Sequence, residues 1–179
     1  MKKLLFLHGF YASGQCVPAM ALKAAFEGKA DVITPDLPMH PKETINFIRD
    51  IIDREEPDIL VGNSCGSFYA QMIAPIVGLP ALLGNPHFKM TEFLKPRIGA
   101  HQYKSPRMDG KQDFIIDEQL IAVLQPLISF PWRPYAHSRG STRVLCAADR
   151  KANKVVTGLL LFPESSYIPR MQYVCHPSI

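Results

Sequence analysis

A serine flanked by glycines, Ser64, lies in the pentapeptide GNSCG at residues 62–66. The apolar run Ile59–Val61 precedes it, and the helix-like stretch Ser67–Ile73 follows it. A G-x-S-x-G motif between a strand and a helix is typical of a sharp turn that exposes a nucleophilic serine. The motif is weak on its own, but His8–Phe10 ends a predicted first strand, where such enzymes place half of an oxyanion hole. Together the two motifs predict a serine hydrolase.

The same motifs predict a role for each neighbouring residue. The backbone N–H groups of Phe10 and Cys65 would stabilise the oxyanion that forms when Ser64 attacks a carbonyl. Cys65 could itself be a nucleophile, but we expect its side chain to be a small buried filler. The Phe10 ring is predicted to line an acyl pocket, with Tyr11 and His87 at its border as substrate-binding residues.

Several other polar residues have simpler interpretations. His8 is predicted to be a structural hydrogen-bonding residue at the end of the first strand rather than the general base. Asp36 ends the second predicted strand, and we expect it to cap the turn that follows. His40, His101 and His137 are interpreted as solvated loop residues.

The composition indicates one soluble globular domain. The chain has 179 residues, of which 47% are hydrophobic and 20% charged, and no apolar run approaches the roughly 20 residues that span a bilayer. The apolar part of Lys2–Leu7 is too short for a signal peptide, so a buried strand is predicted there. The four cysteines lack C-x-x-C spacing, which argues against a zinc site or a disulfide framework. We therefore expect a cytoplasmic protein that needs no metal or other cofactor.

The formal net charge of +4 is unevenly distributed. Residues 129–179 hold 7 Lys and Arg against 2 Asp and Glu, whereas the preceding residues are nearly balanced. The basic residues are scattered singly, without a basic and aromatic face, so neither a nucleic-acid partner nor a membrane surface is predicted.

Short apolar strands alternate with amphipathic helices through the first 128 residues. The predicted strands are 3–7, 31–34, 59–61 and 81–83, and the predicted helices are 18–26, 41–56, 67–77, one from about 91, and 117–127. Residues 105–110 form an irregular excursion. This alternation favours a parallel sheet covered by helices on both faces.

Four motifs in order carry a family resemblance, namely residues 8–13, 34–38, 61–70 and 83–86. They resemble the YqiA-like small bacterial esterases of the α/β-hydrolase superfamily, over residues 1 to about 125. The resemblance implies a three-layer α/β-hydrolase with a minimal cap and an esterase or thioesterase activity. It also implies the chain order serine, acid, histidine for a catalytic triad.

In that order, Asp149 is the candidate acid at the end of the strand-like segment Arg143–Asp149, and His176 is the candidate base. Here the chain departs from the family pattern, because no glycine precedes Asp149 and no helix follows His176. We therefore predict a single domain, 1–179, in which residues 129–179 are atypical, either altered in sequence or poorly packed.

The predicted mechanism is two-step acyl transfer on a small-molecule ester or thioester. The alternative is a catalytically impaired α/β-hydrolase-fold protein that binds a small molecule or a protein partner. An imidazole within hydrogen-bond reach of Ser64 would distinguish the two. The acyl-chain preference and the oligomeric state are left open.

Overall fold

A computed structural model describes residues 1–86, 89–129, 143–149 and 154–161. Its strands are β1 Lys2–Leu7, β2 Ala30–Ile33, β3 Ile59–Asn63, β4 Ala81–Gly84, β5 Gly99–Gln102, β6 Asp113–Ile116, β7 Arg143–Asp149 and β8 Lys154–Leu161. Its helices are α1 Val17–Phe26, α2 Pro41–Glu55, α3 Cys65–Val77, α4 Met90–Leu94 and α5 Glu118–Ser129, with a 3-10 turn at Lys95–Arg97.

Six strands form the main sheet, in the order β2-β1-β3-β4-β8-β7. β1 is parallel to β2 and β3, and β3 is parallel to β4. β8 is antiparallel to both β4 and β7, so β7 runs in the same direction as the first four strands. The prediction of a mostly parallel sheet is confirmed. Strand β8 was not predicted, and among the described strands of this sheet it is the antiparallel one.

Helices cover both faces of the sheet, as predicted. Leu5 and Leu7 of β1 pack into a large apolar core with residues of α2, α3, α4 and α5. Leu4 and Phe6, which alternate with them, pack on the opposite face with Ala19 of α1. Successive side chains of a strand point to opposite faces, so a continuously apolar β1 is the expected result of burial on both sides.

Helix α2 follows its sequence signals closely. Pro41 lies in its first turn, where the missing N–H costs nothing. Ile48, Ile51 and Ile52 lie on one side of the helix and are buried there. Glu56 ends the helix in the left-handed region, at φ 49°. Among the described helices, none is both long and apolar enough to cross a bilayer.

A hairpin outside the main sheet was not predicted. Strands β5 and β6 pair antiparallel, and with their connecting loop they form what we call the strap, residues 99–116. The Lys104 N–H donates to the Tyr11 carbonyl at 2.7 Å, and the Ser13 hydroxyl donates to the Pro106 carbonyl at 2.6 Å. The strap is thereby attached to the loop that follows β1.

Candidate active site

Ser64 occupies a strained turn between β3 and α3. Its backbone lies at φ 54° and ψ −114°, a region that residues other than glycine rarely adopt, at a cost of order 1–3 kcal/mol. The Ser64 N–H donates to the Gly84 carbonyl of β4 at 2.9 Å, and its carbonyl accepts the Ser67 N–H at 3.0 Å. These bonds hold the serine at the carboxyl end of a central strand.

The glycines of the motif are required by close backbone packing. A Cβ on Gly66 would lie 1.9 Å from the Leu7 carbonyl oxygen, and one on Gly62 would lie 2.5 Å from the Ser67 Cα. Both distances are too short for any side chain, which explains the small residues on either side of Ser64.

Gly9 lies directly against the serine. A Cβ built on it would be 3.4 Å from the Ser64 Cβ and 3.9 Å from Oγ. The end of β1 and the turn after β3 therefore meet at the serine hydroxyl, as the pairing of the two sequence motifs requires.

The amide of Phe10 is oriented through its own peptide unit. The Gly9 carbonyl accepts hydrogen bonds from His8 Nδ1 at 2.8 Å and from the Ala12 N–H at 3.1 Å. In a trans peptide the C=O and N–H point in opposite directions. The Phe10 N–H is thus directed away from His8.

The second candidate amide belongs to Cys65, the first residue of α3. The N–H groups of a helix's first turn have no partner within the helix, and the helix dipole makes that end favourable to negative charge. Within the described residues, neither the Cys65 N–H nor the Phe10 N–H donates to a protein acceptor. Both remain available to a ligand.

The His8 imidazole is a buried structural group, as predicted. Its Nε2 accepts the Leu37 N–H at 2.9 Å, so its proton lies on Nδ1, which donates to the Gly9 carbonyl. Burial lowers the pKa of His8 from 6.5 to about 4. With both ring nitrogens engaged and the neutral form favoured, His8 is unsuited to act as the general base.

The Cys65 side chain is buried, with 6% of its surface exposed. Burial raises the pKa of its thiol to about 12. Only a thiolate is an effective nucleophile, so a thiol mechanism at Cys65 is disfavoured at neutral pH.

An aromatic wall stands beside the Phe10 amide. The Phe10 ring makes edge contacts with Tyr11 and Phe114, at centroid distances of 5.1 and 5.7 Å. The Tyr11 hydroxyl donates to His101 Nδ1 at 3.4 Å, and His101 Nε2 donates to the Arg97 carbonyl at 2.7 Å. The interpretation of His101 as a solvated loop residue is wrong, because β5 brings it against Tyr11 and Phe114.

Asp36 also differs from its prediction. Its carboxylate accepts the Gly14 N–H at 2.8 Å, the Met108 N–H at 2.5 Å and the Asp109 N–H at 3.3 Å. It therefore joins the loop after β1 to the strap instead of capping its own turn. Beside it, Arg107 pairs with Asp109 at 2.6 Å, and this contact lowers the pKa of Asp109 to about 2.

The remaining predicted site residues lie at or beyond the limits of the described chain. Asp149 is the last residue of β7, and it lies at the same end of the sheet as the carboxyl end of β3. Two strands separate β7 from β3, which corresponds to roughly 14 Å across the sheet. His87, His137 and His176 lie outside the described residues. In the described ranges no group of His, Cys, Asp and Glu is arranged to hold a metal ion.

The sheet with a serine on a strained turn at its centre defines an α/β-hydrolase-like protein. The chain belongs to the uncharacterised protein family UPF0227, the YqiA-like family, whose sequence model matches residues 3–129. The resemblance predicted from the motifs is thereby confirmed.

A comparison with solved structures finds an extracellular α/β-hydrolase from a Paenibacillus species, which shares structural and functional homology with tobacco salicylic acid binding protein 2. The two chains are 22% identical, with a TM-score of 0.36. The match covers 43% of this chain and 36% of the Paenibacillus chain, so this chain spans about a third of that protein.

Proposed function

We propose that the protein is a serine hydrolase that cleaves a small ester or thioester through an acyl-enzyme. The observation that carries the proposal is the strained backbone of Ser64, at φ 54°, together with the unused amides of Phe10 and Cys65. Strain of this kind persists only where surrounding contacts enforce it, and it is concentrated at functional sites.

In the first step, an imidazole takes the proton of the Ser64 hydroxyl as Oγ attacks the substrate carbonyl. The carbonyl oxygen becomes an oxyanion and accepts hydrogen bonds from the N–H groups of Phe10 and Cys65. Collapse of the tetrahedral intermediate breaks the bond to the alcohol or thiol, which takes the proton from the imidazolium. Water then attacks the acyl-serine and gives a proton to the imidazole. The bond to Oγ breaks, the imidazolium returns the proton to Oγ, and the acid is released.

We assign the imidazole to His176 and its orienting carboxylate to Asp149. The direction of β7 supports the assignment of Asp149, because the carboxyl ends of β7 and β3 lie at the same end of the sheet. An aspartate in that role holds the imidazole in the required tautomer and stabilises its charged form.

Labelling with a fluorophosphonate tests the proposal, since this reagent reacts promptly only with an activated serine. We expect stoichiometric labelling of Ser64 in the wild-type protein and none in Ser64→Ala. Ser67→Ala is the matched control, because it removes a neighbouring serine hydroxyl, which donates to the Gly84 carbonyl at 2.8 Å, and keeps the N–H that donates to the Ser64 carbonyl. Cys65→Ala should also label, since the variant keeps its amide. Equal labelling of wild-type and Ser64→Ala proteins would refute the assignment.

A second candidate is an α/β-hydrolase-fold protein that binds an ester without turning it over. The observation in its favour is that His8 and His101, two of the described histidines, are both engaged away from Ser64. A folded wild-type protein that neither labels nor hydrolyses esters, yet binds them, would support this candidate.

A further inference from the structure

Arg107 is a nearly buried cation in the loop of the strap. Only 4% of its side chain is exposed, and its guanidinium carbon lies 4.3 Å from the centre of the Tyr103 ring. Its Nε and Nη2 atoms donate to the two carboxylate oxygens of Asp109 at 2.9 and 2.6 Å. A paired cation that is withdrawn from water is weak evidence for added stability, so the remaining donor of the guanidinium is the informative one.

That donor, Nη1, is directed at the segment that follows β2. It donates to the Leu37 carbonyl at 3.1 Å. The Leu37 N–H donates to His8 Nε2 at 2.9 Å, so both polar groups of Leu37 are held, one by Arg107 and the other by His8. Because the bidentate contact with Asp109 fixes the plane of the guanidinium, it also fixes the direction of Nη1.

The same series of hydrogen bonds reaches the candidate oxyanion hole. His8 Nδ1 donates to the Gly9 carbonyl at 2.8 Å, and this carbonyl shares its peptide unit with the Phe10 N–H. A planar peptide cannot turn its carbonyl without turning its N–H. Three hydrogen bonds therefore connect Arg107 with the orientation of the Phe10 amide.

The charge of Arg107 supports the same arrangement. His8 can accept the Leu37 N–H only while Nε2 carries no proton. Burial is the main cause that lowers the pKa of His8 to about 4, and the positive charge of Arg107 lowers it further. The hydrogen bond to the Gly9 carbonyl and the Asp36 carboxylate act in the opposite direction.

The other titratable groups beside His8 are uncharged at neutral pH. They are Cys65 and Tyr69 on α3 and Tyr103 of the strap, which line a small space next to the imidazole. Burial raises the pKa of each of them. Among the described residues, Arg107 and Asp36 are therefore the charged groups that act on the His8 ring.

We infer that Arg107 is a positioning residue of the oxyanion hole, which holds Leu37 against His8 and so keeps the Phe10 amide in its orientation. The effect of Arg107 on turnover rests on the proposed function, whereas its effect on the His8 ring does not. Lysine would keep the charge, but it lacks the planar fork that meets Asp109 and Leu37 at once.

The first test separates kcat from KM for p-nitrophenyl acetate. Arg107→Met removes the charge and the donors from a side chain of similar reach. We expect kcat to fall about tenfold, less than for loss of a whole oxyanion donor, while KM changes less than about twofold. Ser13→Ala is the matched control, because it removes the bond to the Pro106 carbonyl of the strap and keeps the contact with Leu37. A wild-type kcat in folded Arg107→Met, or an equal fall in Ser13→Ala, would overturn the inference.

If Arg107→Met does not fold, Arg107→Lys keeps a positive charge beside Asp109 and should lower kcat about threefold, with KM again nearly unchanged. A wild-type kcat in the folded Arg107→Lys protein would also overturn the inference.

The second test does not require turnover. Protein labelled with ¹⁵N in its backbone and histidine rings is compared by NMR at neutral pH. In Arg107→Met, or in Arg107→Lys if only that variant folds, we expect the His8 Nε2 signal to move toward that of a ring nitrogen without a hydrogen bond. The Phe10 amide signal should shift with it, and both should stay constant in Ser13→Ala.

Unchanged His8 and Phe10 signals in the Arg107 variant would overturn the inference, whatever the turnover. Shifted signals combined with no ester turnover by the wild-type protein would reject the hydrolase and support Arg107 as the residue that positions this amide.

Discussion

The Nε2 atom of His8 accepts the backbone N–H of Leu37 at 2.9 Å. This bond joins the end of β1 to the segment after β2 and places the imidazole proton on Nδ1. Through Nδ1 the ring holds the Gly9 carbonyl, and with it the direction of the Phe10 amide. The neutral state of one buried histidine is therefore linked to the geometry of the candidate oxyanion hole.

The pH dependence of stability should report this histidine. The folded-state pKa of about 4 lies below the ordinary 6.5, so the stabilising contribution is complete above pH 6.5. It declines as the pH falls toward 4, because protonation then favours the unfolded chain. The whole shift corresponds to roughly 3 kcal/mol. Urea unfolding at pH 7.5 and 4.5 should show a loss about 2–3 kcal/mol larger for wild-type than for His8→Gln, whose side chain does not titrate. Equal losses would contradict the prediction.

Gly66→Ala should be severely destabilising. The added methyl would lie 1.9 Å from the Leu7 carbonyl oxygen, so backbone must move, at a cost on the order of 3 kcal/mol or more. Gly84→Ala is the matched control, because its Cβ would make ordinary contacts at 3.5 and 3.7 Å. Thermal unfolding measures both, and a Gly66→Ala protein as stable as Gly84→Ala would show that the turn is built differently.

Asp36→Asn should weaken both the fold and the active site. The amide has one acceptor oxygen in place of two, so its NH2 group must face either the Gly14 N–H or the Met108 and Asp109 N–H groups. Hydrogen bonds to a charged group contribute about 1.5–3 kcal/mol, and we expect a loss of this size in the free energy of unfolding, with a lower kcat. Asp31→Asn, on the exposed part of β2, is the control. An Asp36→Asn protein indistinguishable from it would remove the link between the strap and the site.

The triad assignment predicts that His176→Ala and Asp149→Asn lower ester turnover by several orders of magnitude, His176→Ala about as far as Ser64→Ala. The three residues of a triad act together, so removing one of them loses most of the rate enhancement that the triad provides. His40→Ala, at the start of α2, should retain activity. Normal turnover by His176→Ala would mean that another group takes the serine proton.

Local signals in the sequence account for much of the framework. The G-x-S-x-G spacing predicts the turn at Ser64, and the contact that requires Gly62 is local, because it involves Ser67. The contact that requires Gly66 is with Leu7 of β1 and is not visible in the spacing. The unbroken apolar run of β1 indicates burial on both faces, and the helical spacing of Ile48, Ile51 and Ile52 indicates the buried side of α2. These features agree with the structure.

Contacts between distant segments decided the rest. The strap strands are four residues each, too short to show a period, and they form because each supplies the other's hydrogen bonds. The partners of Asp36 in the strap are 72 and 73 residues away, and His101 reaches Tyr11 across 90. The sequence alone determines that a serine lies on a tight turn after a strand of a parallel sheet. Which polar groups hold the Phe10 amide in place beside that serine was decided by the tertiary structure, because hydrogen bonds between remote residues leave no spacing pattern along the chain.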